Sequence, residues 1–252
     1  MGKSITLIAV GCCLVLFAGC GEPTADQVLA EISETKVMND EQAAIIGREK
    51  KLVPLNVLTT ISNAQAESVS NSTWLELDGL KTLTDAQAKI FSKSEKLHLN
   101  GLTSLTDEQA KSLCAGNVTH LHLNSLTEIT DSQAESFSSL GIWLSLNSVK
   151  SLSDEQAKSI GVLNYLILNG VEQMSDTQLK NLSTVRESLE LNGLTEMTDA
   201  QAEILSGVQG FLHLKGLTSI TEPQAESLCR LWGLNVASEE IKQAIVEARN
   251  KK

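Results

Sequence analysis

A chain of 252 residues with 42% hydrophobic and 20% charged residues carries enough apolar side chain to fold, which excludes disorder as a description of the whole. Only 3% of it is aromatic, so one large core built around rings is excluded too, and some other packing scheme must hold the chain. A formal net charge of -11 opposes nonspecific binding to nucleic acid or to an anionic membrane surface.

Lys3, near the start of the chain, supplies a short positive region and is followed by an uncharged run from Ile5 to Ala18. That run is shorter than the roughly 20 residues of a comfortable membrane span, and it has the length of a secretory h-region. It closes on Phe17-Ala18-Gly19-Cys20. Small residues before a cysteine resemble the lipobox of bacterial lipoprotein signal peptides, with Phe17 where Leu is usual. The resemblance implies cleavage before Cys20, lipid on its thiol and amine, and a place in the bacterial cell envelope, membrane-anchored and facing the periplasm or the exterior. An ordinary signal peptide with an unmodified cysteine is the other reading. Gly11-Cys12 is a rival cleavage site, but the apolar run before it is too short.

Residues 21–36 then read as a tether and an N-terminal cap helix, with Val28, Leu29 and Ile32 apolar between Thr24 and Ser33. From there to residue 236 one pattern repeats. Leu97-His98-Leu99-Asn100-Gly101-Leu102 leads into Thr106-Asp107-Glu108-Gln109-Ala110, and paired leucines begin at Leu75, Leu97, Leu121, Leu144, Leu166, Leu189 and Leu212, 22 to 24 residues apart. Val53-Pro54-Leu55 is a weaker early copy, Asn39 to Ala43 a half copy, and Leu234-Asn235-Val236 a final half copy. In each unit the L-x-L alternation predicts a short strand and Asn-Gly a turn. Thr or Ser, with Gln three residues later, is a capping box that opens a helix of about two turns. Ala110 and Leu113, three apart, face inward. Residues 237–252 read as a C-terminal cap helix with Ile241, Ala244, Ile245 and Ala248 on one stripe.

A strand-turn-helix unit of this size buries its apolar edge only against copies of itself. The pattern resembles the leucine-rich repeat, most closely its cysteine-containing subtype, over about residues 37–236. Leu102, Leu126, Val149, Val171, Leu194 and Leu217 stand at the family's Cys or Asn position, an apolar row in place of a polar one. The resemblance implies an α/β solenoid: a horseshoe with short parallel strands on the concave side and short helices on the convex side.

Reaction chemistry is not written in this chain. No phosphate-binding loop, dinucleotide fingerprint or nucleophile motif occurs, and the recurring acids Asp85, Asp107, Asp131, Asp154, Asp176 and Asp199 are accounted for as first helical residues. No enzyme activity and no cofactor are expected. Cys114 and Cys229 stand about five repeats apart, roughly 24 Å at strand spacing, beyond the reach of about 7 Å that a disulfide allows. They read as two unpaired thiols.

Three residues of each strand point away from the core. The middle column reads Glu76, His98, His122, Ser145, Ile167, Glu190 and His213. Glu76, His98 and His122 are neighbours in it, but a straight row does not converge on a tetrahedral centre, so no metal site is expected. The third column reads Asn56, Asp78, Asn100, Asn124, Asn147, Asn169, Asn192 and Lys215 and is structural, since Asn suits the turn that follows. The first column reads Trp74, Lys96, His120, Trp143, Tyr165, Ser188 and Phe211. It holds four of the chain's eight Phe, Trp and Tyr residues. Packing at the start of the strand is one account of them; a contact surface is the other. The candidate binding strip is therefore Trp74, His98, His120, His122, Trp143, Tyr165 and Phe211. The function expected is a lipid-anchored envelope protein that binds or scaffolds a protein partner. A structural envelope role and glycan binding by the concave face are the alternatives.

Overall fold

The computed structural model describes residues 22–48 and 52–251. Cys20 and the rest of the segment 1–20 lie outside the described residues. Helices α1 (Ala25–Thr35) and α2 (Asp40–Gly47) come first. A regular alternation follows: β1 (Leu52–Pro54), α3 (Asn63–Val69), β2 (Trp74–Glu76), α4 (Asp85–Phe91), β3 (Lys96–His98), α5 (Asp107–Cys114), β4 (His120–His122) and α6 (Asp131–Ser138). It continues with β5 (Trp143–Ser145), α7 (Asp154–Ile160), β6 (Tyr165–Ile167), α8 (Asp176–Leu182), β7 (Ser188–Glu190), α9 (Asp199–Leu205), β8 (Phe211–His213), α10 (Glu222–Leu228) and β9 (Gly233–Asn235), and ends in α11 (Glu239–Asn250). The nine described strands form one parallel sheet in strict chain order, and successive helices pack on one another. This is an α/β solenoid.

The leucines stack in register, Leu75 on Leu97 on Leu121 on Leu144. Both leucines of each L-x-L pair are buried, as Leu97 and Leu99 illustrate at 0% exposure. Ala110 and Leu113 close the core from the helix side, also at 0%. The apolar row of Leu102, Leu126, Val149, Val171, Leu194 and Leu217 is buried as well. Phe91 and Phe137 are core residues of α4 and α6.

The strands differ from the expected L-x-L span. Each begins one residue before the first leucine and stops at the middle residue. The third-column side chains cause the stop. Asn56 Oδ1 accepts the backbone N–H of Asp78 at 3.0 Å, Asp78 Oδ1 that of Asn100 at 2.9 Å, and Asn100 Oδ1 that of Asn124 at 3.1 Å. The row continues with Asn147 N–H on Asn124 Oδ1, Asn192 N–H on Asn169 Oδ1 and Lys215 N–H on Asn192 Oδ1; between Asn147 and Asn169 the link is side chain to side chain, Asn169 Nδ2 donating to Asn147 Oδ1 at 2.8 Å. A side chain thus takes the donor that a continuing strand would give to a carbonyl. A polar ladder is therefore present beside the apolar row. The turn after it needs small residues: a Cβ on Gly101 would lie 2.1 Å from the carbonyl oxygen of Asp78.

The capping boxes do more than start helices. All eight from α3 to α10 are complete, and in each the Gln Oε1 accepts the N-cap backbone N–H. The same Gln uses its Nε2 to donate to a carbonyl one repeat back: Gln87 to Ile61 at 2.7 Å, Gln109 to Leu83 at 2.7 Å, Gln133 to Leu105 at 2.7 Å and Gln156 to Ile129 at 2.9 Å. Several N-cap hydroxyls also donate backward, Thr130 to Asp107 Oδ1 at 2.6 Å and Thr221 to Asp199 Oδ1 at 2.9 Å among them.

At the first end, α1 carries its own Thr24–Gln27 box and buries Val28 and Ile32. At the last, α11 packs on α10 through Ile241, Ile245 and Ala248, and Arg249 donates to the carbonyls of Cys229 and Leu231 at 3.0 and 2.6 Å. Cys114 and Cys229 are free thiols. Burial pushes the Cys114 thiol up to about 12, so it stays protonated and unreactive at neutral pH. Cys229 donates to the Glu226 carbonyl at 3.1 Å.

Denaturant unfolding should rank three kinds of side chain. Leu123→Ala and Leu168→Ala each cost about 2 to 5 kcal/mol. Thr130→Ala costs about 1 kcal/mol. Gln133→Glu keeps the cap acceptor but removes the backward donor, and it costs about 1 to 3 kcal/mol. A Gln133→Glu protein as stable as the wild type contradicts the inter-repeat role of the amide.

Candidate binding face on the sheet

The strand register places the first-column residues side by side, Trp74 next to Lys96, His120 next to Trp143, and Trp143 next to Tyr165. The middle column places Glu76 next to His98 and His98 next to His122. Because neighbouring strands are about 4.8 Å apart, rings in these positions touch. Trp74 and His98 have centroids 5.5 Å apart, His98 and His122 4.1 Å, and His122 and Trp143 6.1 Å. His120 stacks on the same Trp143 at 6.0 Å, and Trp143 stacks on Tyr165 at 4.8 Å with planes 18° apart. A chain of rings thus crosses the sheet from β2 to β6. The two histidines of the middle column are its bridge, joining Trp74 to Trp143, rather than its flank.

Phe211 is not part of that chain. Ser188 separates it from Tyr165 in the first column. Phe211 instead meets Trp232 edge-on at 4.8 Å. Trp232 is a surface residue that the column count passed over, because it lies one position before the first column of β9. It is 70% exposed, and its Nε1 donates to the Gln209 carbonyl at 3.0 Å. The first-column rings Trp74, Trp143 and Tyr165 are half-buried, and Phe211 is exposed. Ser145, an outward position by alternation, is 1% exposed; its hydroxyl lies against Asn124 Oδ1 at 2.6 Å, folded down onto the asparagine ladder.

Charge is distributed unevenly on this face. Across β4 to β6 the three columns hold His120, His122, Asn124, Trp143, Ser145, Asn147, Tyr165, Ile167 and Asn169, with no carboxylate, lysine or arginine among them. His122 is pushed down to about 4, first by burial and then by the neighbouring His98 and His120. His120 is also lowered, by burial and by Lys96. Both rings are neutral at pH 7. Ionic groups begin at the borders: Glu76, Asp78 and Lys96 on one side, with Lys96 Nζ over the Trp74 ring at 5.3 Å, and Glu190 and Lys215 on the other. Within the strip the indole N–H groups of Trp74 and Trp143 are buried and meet no protein acceptor among the described residues. Among the described residues no group of three His, Cys, Asp or Glu side chains could hold a metal ion.

No protein-family model and no curated protein sequence matches this chain. Solved structures do. An internalin from Listeria monocytogenes aligns with a TM-score of 0.53 at 20% identity, over 84% of this chain and 61% of that one. Internalin C2 from the same organism aligns with a TM-score of 0.50 at 19% identity, over 84% of this chain and 91% of that one. This is the leucine-rich-repeat fold. At these identities the likeness concerns the fold alone, and the chain spans 61% of the length of the first of the two.

The depressed His122 predicts a direction of pH dependence. Between an ordinary histidine value of about 6.5 and about 4, the unfolded chain takes up a proton that the folded chain refuses. Stability therefore falls as pH drops through that window and is unaffected by this group above it. The drop in denaturation midpoint from pH 7 to pH 5 should shrink in His122→Phe. An NMR titration should show the His122 ring still neutral at pH 6, and a normal midpoint near 6.5 contradicts this geometry.

Proposed function

We propose that this protein is a non-enzymatic binding module that takes a protein partner on the ring strip of its sheet and is held at a bacterial envelope membrane by lipid on Cys20. In this reading residues 1–20 are a signal peptide, 21–36 a tether and first cap, 37–236 the solenoid and 237–252 the last cap. The observation that carries the binding role is the continuous ring contact from Trp74 to Tyr165 in a chain so poor in aromatics. Half-buried Trp and Tyr rings at a surface are of the type enriched among the anchor residues of protein interfaces, and the middle of this face lacks the charges that cost most to desolvate.

Ring orientation favours a protein over a glycan. Trp143 and Tyr165 are nearly parallel at 4.8 Å, too close to lie side by side in one plane, so they stack face on face. Their shared faces are spent on each other, His120 stacks on Trp143 as well, and apart from the far face of Tyr165, which looks onto the gap over Ser188, what remains outward is chiefly ring edge. A sugar platform needs a free ring face; an edge, positive in its quadrupole, suits carbonyl groups and apolar side chains. The variation of the first column from copy to copy supports one shaped partner over a uniform self-packing array.

The anchor rests on the sequence around Cys20. No helix among the described residues is long and apolar enough to cross a membrane. One lipid chain binds only marginally and stable anchoring takes at least two, which modification of both thiol and amine supplies.

Two measurements test this. Full-length protein should capture a partner from detergent-solubilised envelope, and Trp143→Ala with Tyr165→Ala should weaken capture at least about tenfold, as loss of two anchor residues does, while circular dichroism stays unchanged. Retained capture removes the strip from consideration. Separately, Cys20→Ser should abolish lipid labelling and move the protein to the soluble fraction; unchanged membrane retention contradicts lipidation.

A further inference from the structure

The ring stack has a gap of one layer. In the first column Tyr165, Ser188 and Phe211 are register neighbours on β6, β7 and β8. Every first-column neighbour pair from His120 to Tyr165 is in ring contact, and Ser188 then supplies no ring. Tyr165 and Phe211 are two strand spacings apart, about 9.6 Å. Tyr165 presents to that space the face that does not meet Trp143. Phe211, 47% exposed, is backed on its far side by Trp232. A flat group inserted over Ser188 would continue the stack at the 4.8 Å repeat already set by Trp143 and Tyr165.

The border of the gap is acidic. Glu190 lies on the same strand, in the middle column. Its Oε2 accepts from the side-chain amides of Asn169 and Asn192 at 3.2 and 3.3 Å. These bonds hold the carboxylate in place and leave Oε1 available. Glu187 immediately precedes Ser188 and is exposed. Among the basic groups, Arg186 precedes Glu187 and is exposed, His213 is the register neighbour of Glu190 on β8, and Lys215 lies beyond it in the third column.

A group that is flat, cationic and able to pair with a carboxylate while it stacks on rings is a guanidinium. We propose that the slot over Ser188, between Tyr165 and Phe211, receives one arginine side chain of the protein partner, stacked between the two rings and paired with Glu190. The charge complementarity is general as well as local, since the chain carries -11 overall. This inference rests on the proposal that the strip binds a protein, and it names one feature of that protein.

The slot can be tested without the partner. Full-length protein in detergent is titrated by NMR with the capped peptides acetyl-Gly-Arg-Gly-amide, acetyl-Gly-Lys-Gly-amide and acetyl-Gly-Phe-Gly-amide, reading the signals of Tyr165, Ser188 and Phe211. The arginine peptide should shift them saturably and the lysine and phenylalanine peptides should not. Glu190→Gln should weaken the arginine response by about fivefold, the upper scale of one exposed ion pair. Ser188→Leu, a residue that suits a strand and fills the gap, should abolish it with the fold intact by circular dichroism. Equal responses to arginine and lysine, a preference for phenylalanine, no response at all, or an arginine response that survives Ser188→Leu each overturn the proposal. If partner capture depends on Trp143 and Tyr165 but ignores Ser188→Leu and Glu190→Gln, the slot is wrong and the strip stands. If capture ignores Trp143→Ala with Tyr165→Ala, both the strip and the slot, of which Tyr165 is one wall, are wrong as partner sites.

Discussion

In every repeat from α3 to α10 one glutamine side chain is asked to do two things at once. Its carbonyl oxygen closes the helix cap of its own repeat, and its amide donates to the backbone of the repeat before, as Gln178 does to Leu152 and Gln201 to Met174. Hydrophobic stacking of leucines is strong but tolerant of sliding, since burial depends on area and not on direction. A hydrogen bond is directional, and an unpaired buried carbonyl is costly. The glutamine therefore ties helix start, repeat spacing and repeat order to a single geometry. The asparagine ladder does the same at the far end of the strands. Between these two polar seams the leucines have one register available.

The proposed binding face follows from that register. Rings on successive strands meet only because the seams hold the columns opposite one another at strand spacing. The contacts from Trp74 through His98 and His122 to Trp143 form a diagonal that passes between two columns, which a register error of one residue would turn into the core. The same precision makes the one missing ring, at Ser188, a gap of defined width between Tyr165 and Phe211, the slot proposed above. The histidines serve the face as uncharged rings: burial and mutual repulsion keep His122 neutral at pH 7, so the middle of the strip remains free of charge in an acidic protein.

Much of this was legible in the sequence. The repeat period, the paired leucines, the capping boxes and the columns follow from spacing alone, because a solenoid maps sequence period directly onto space. What escaped had two physical causes. The backward bond of the glutamine amide, and the asparagine bonds that end each strand at the middle residue, depend on where a neighbouring repeat puts its backbone, and no local pattern encodes that. Trp232 escaped because counting outward positions from Leu234 skips the residue two before it, while the turn ahead of β9 brings its ring beside Phe211. The column count placed Phe211 with Tyr165; the small side chain of Ser188 leaves them apart.

The central claim is that the sheet face and not the helical face meets the partner. Site-directed photocrosslinking addresses it most directly, with p-benzoylphenylalanine placed at Ile167, beside Tyr165 on the strip, and in a second protein at the exposed Lys158 of α7 on the opposite side. On irradiation in intact cells, the account predicts a discrete crosslinked species from position 167 and none from position 158. A crosslink from 158 with none from 167 would contradict it.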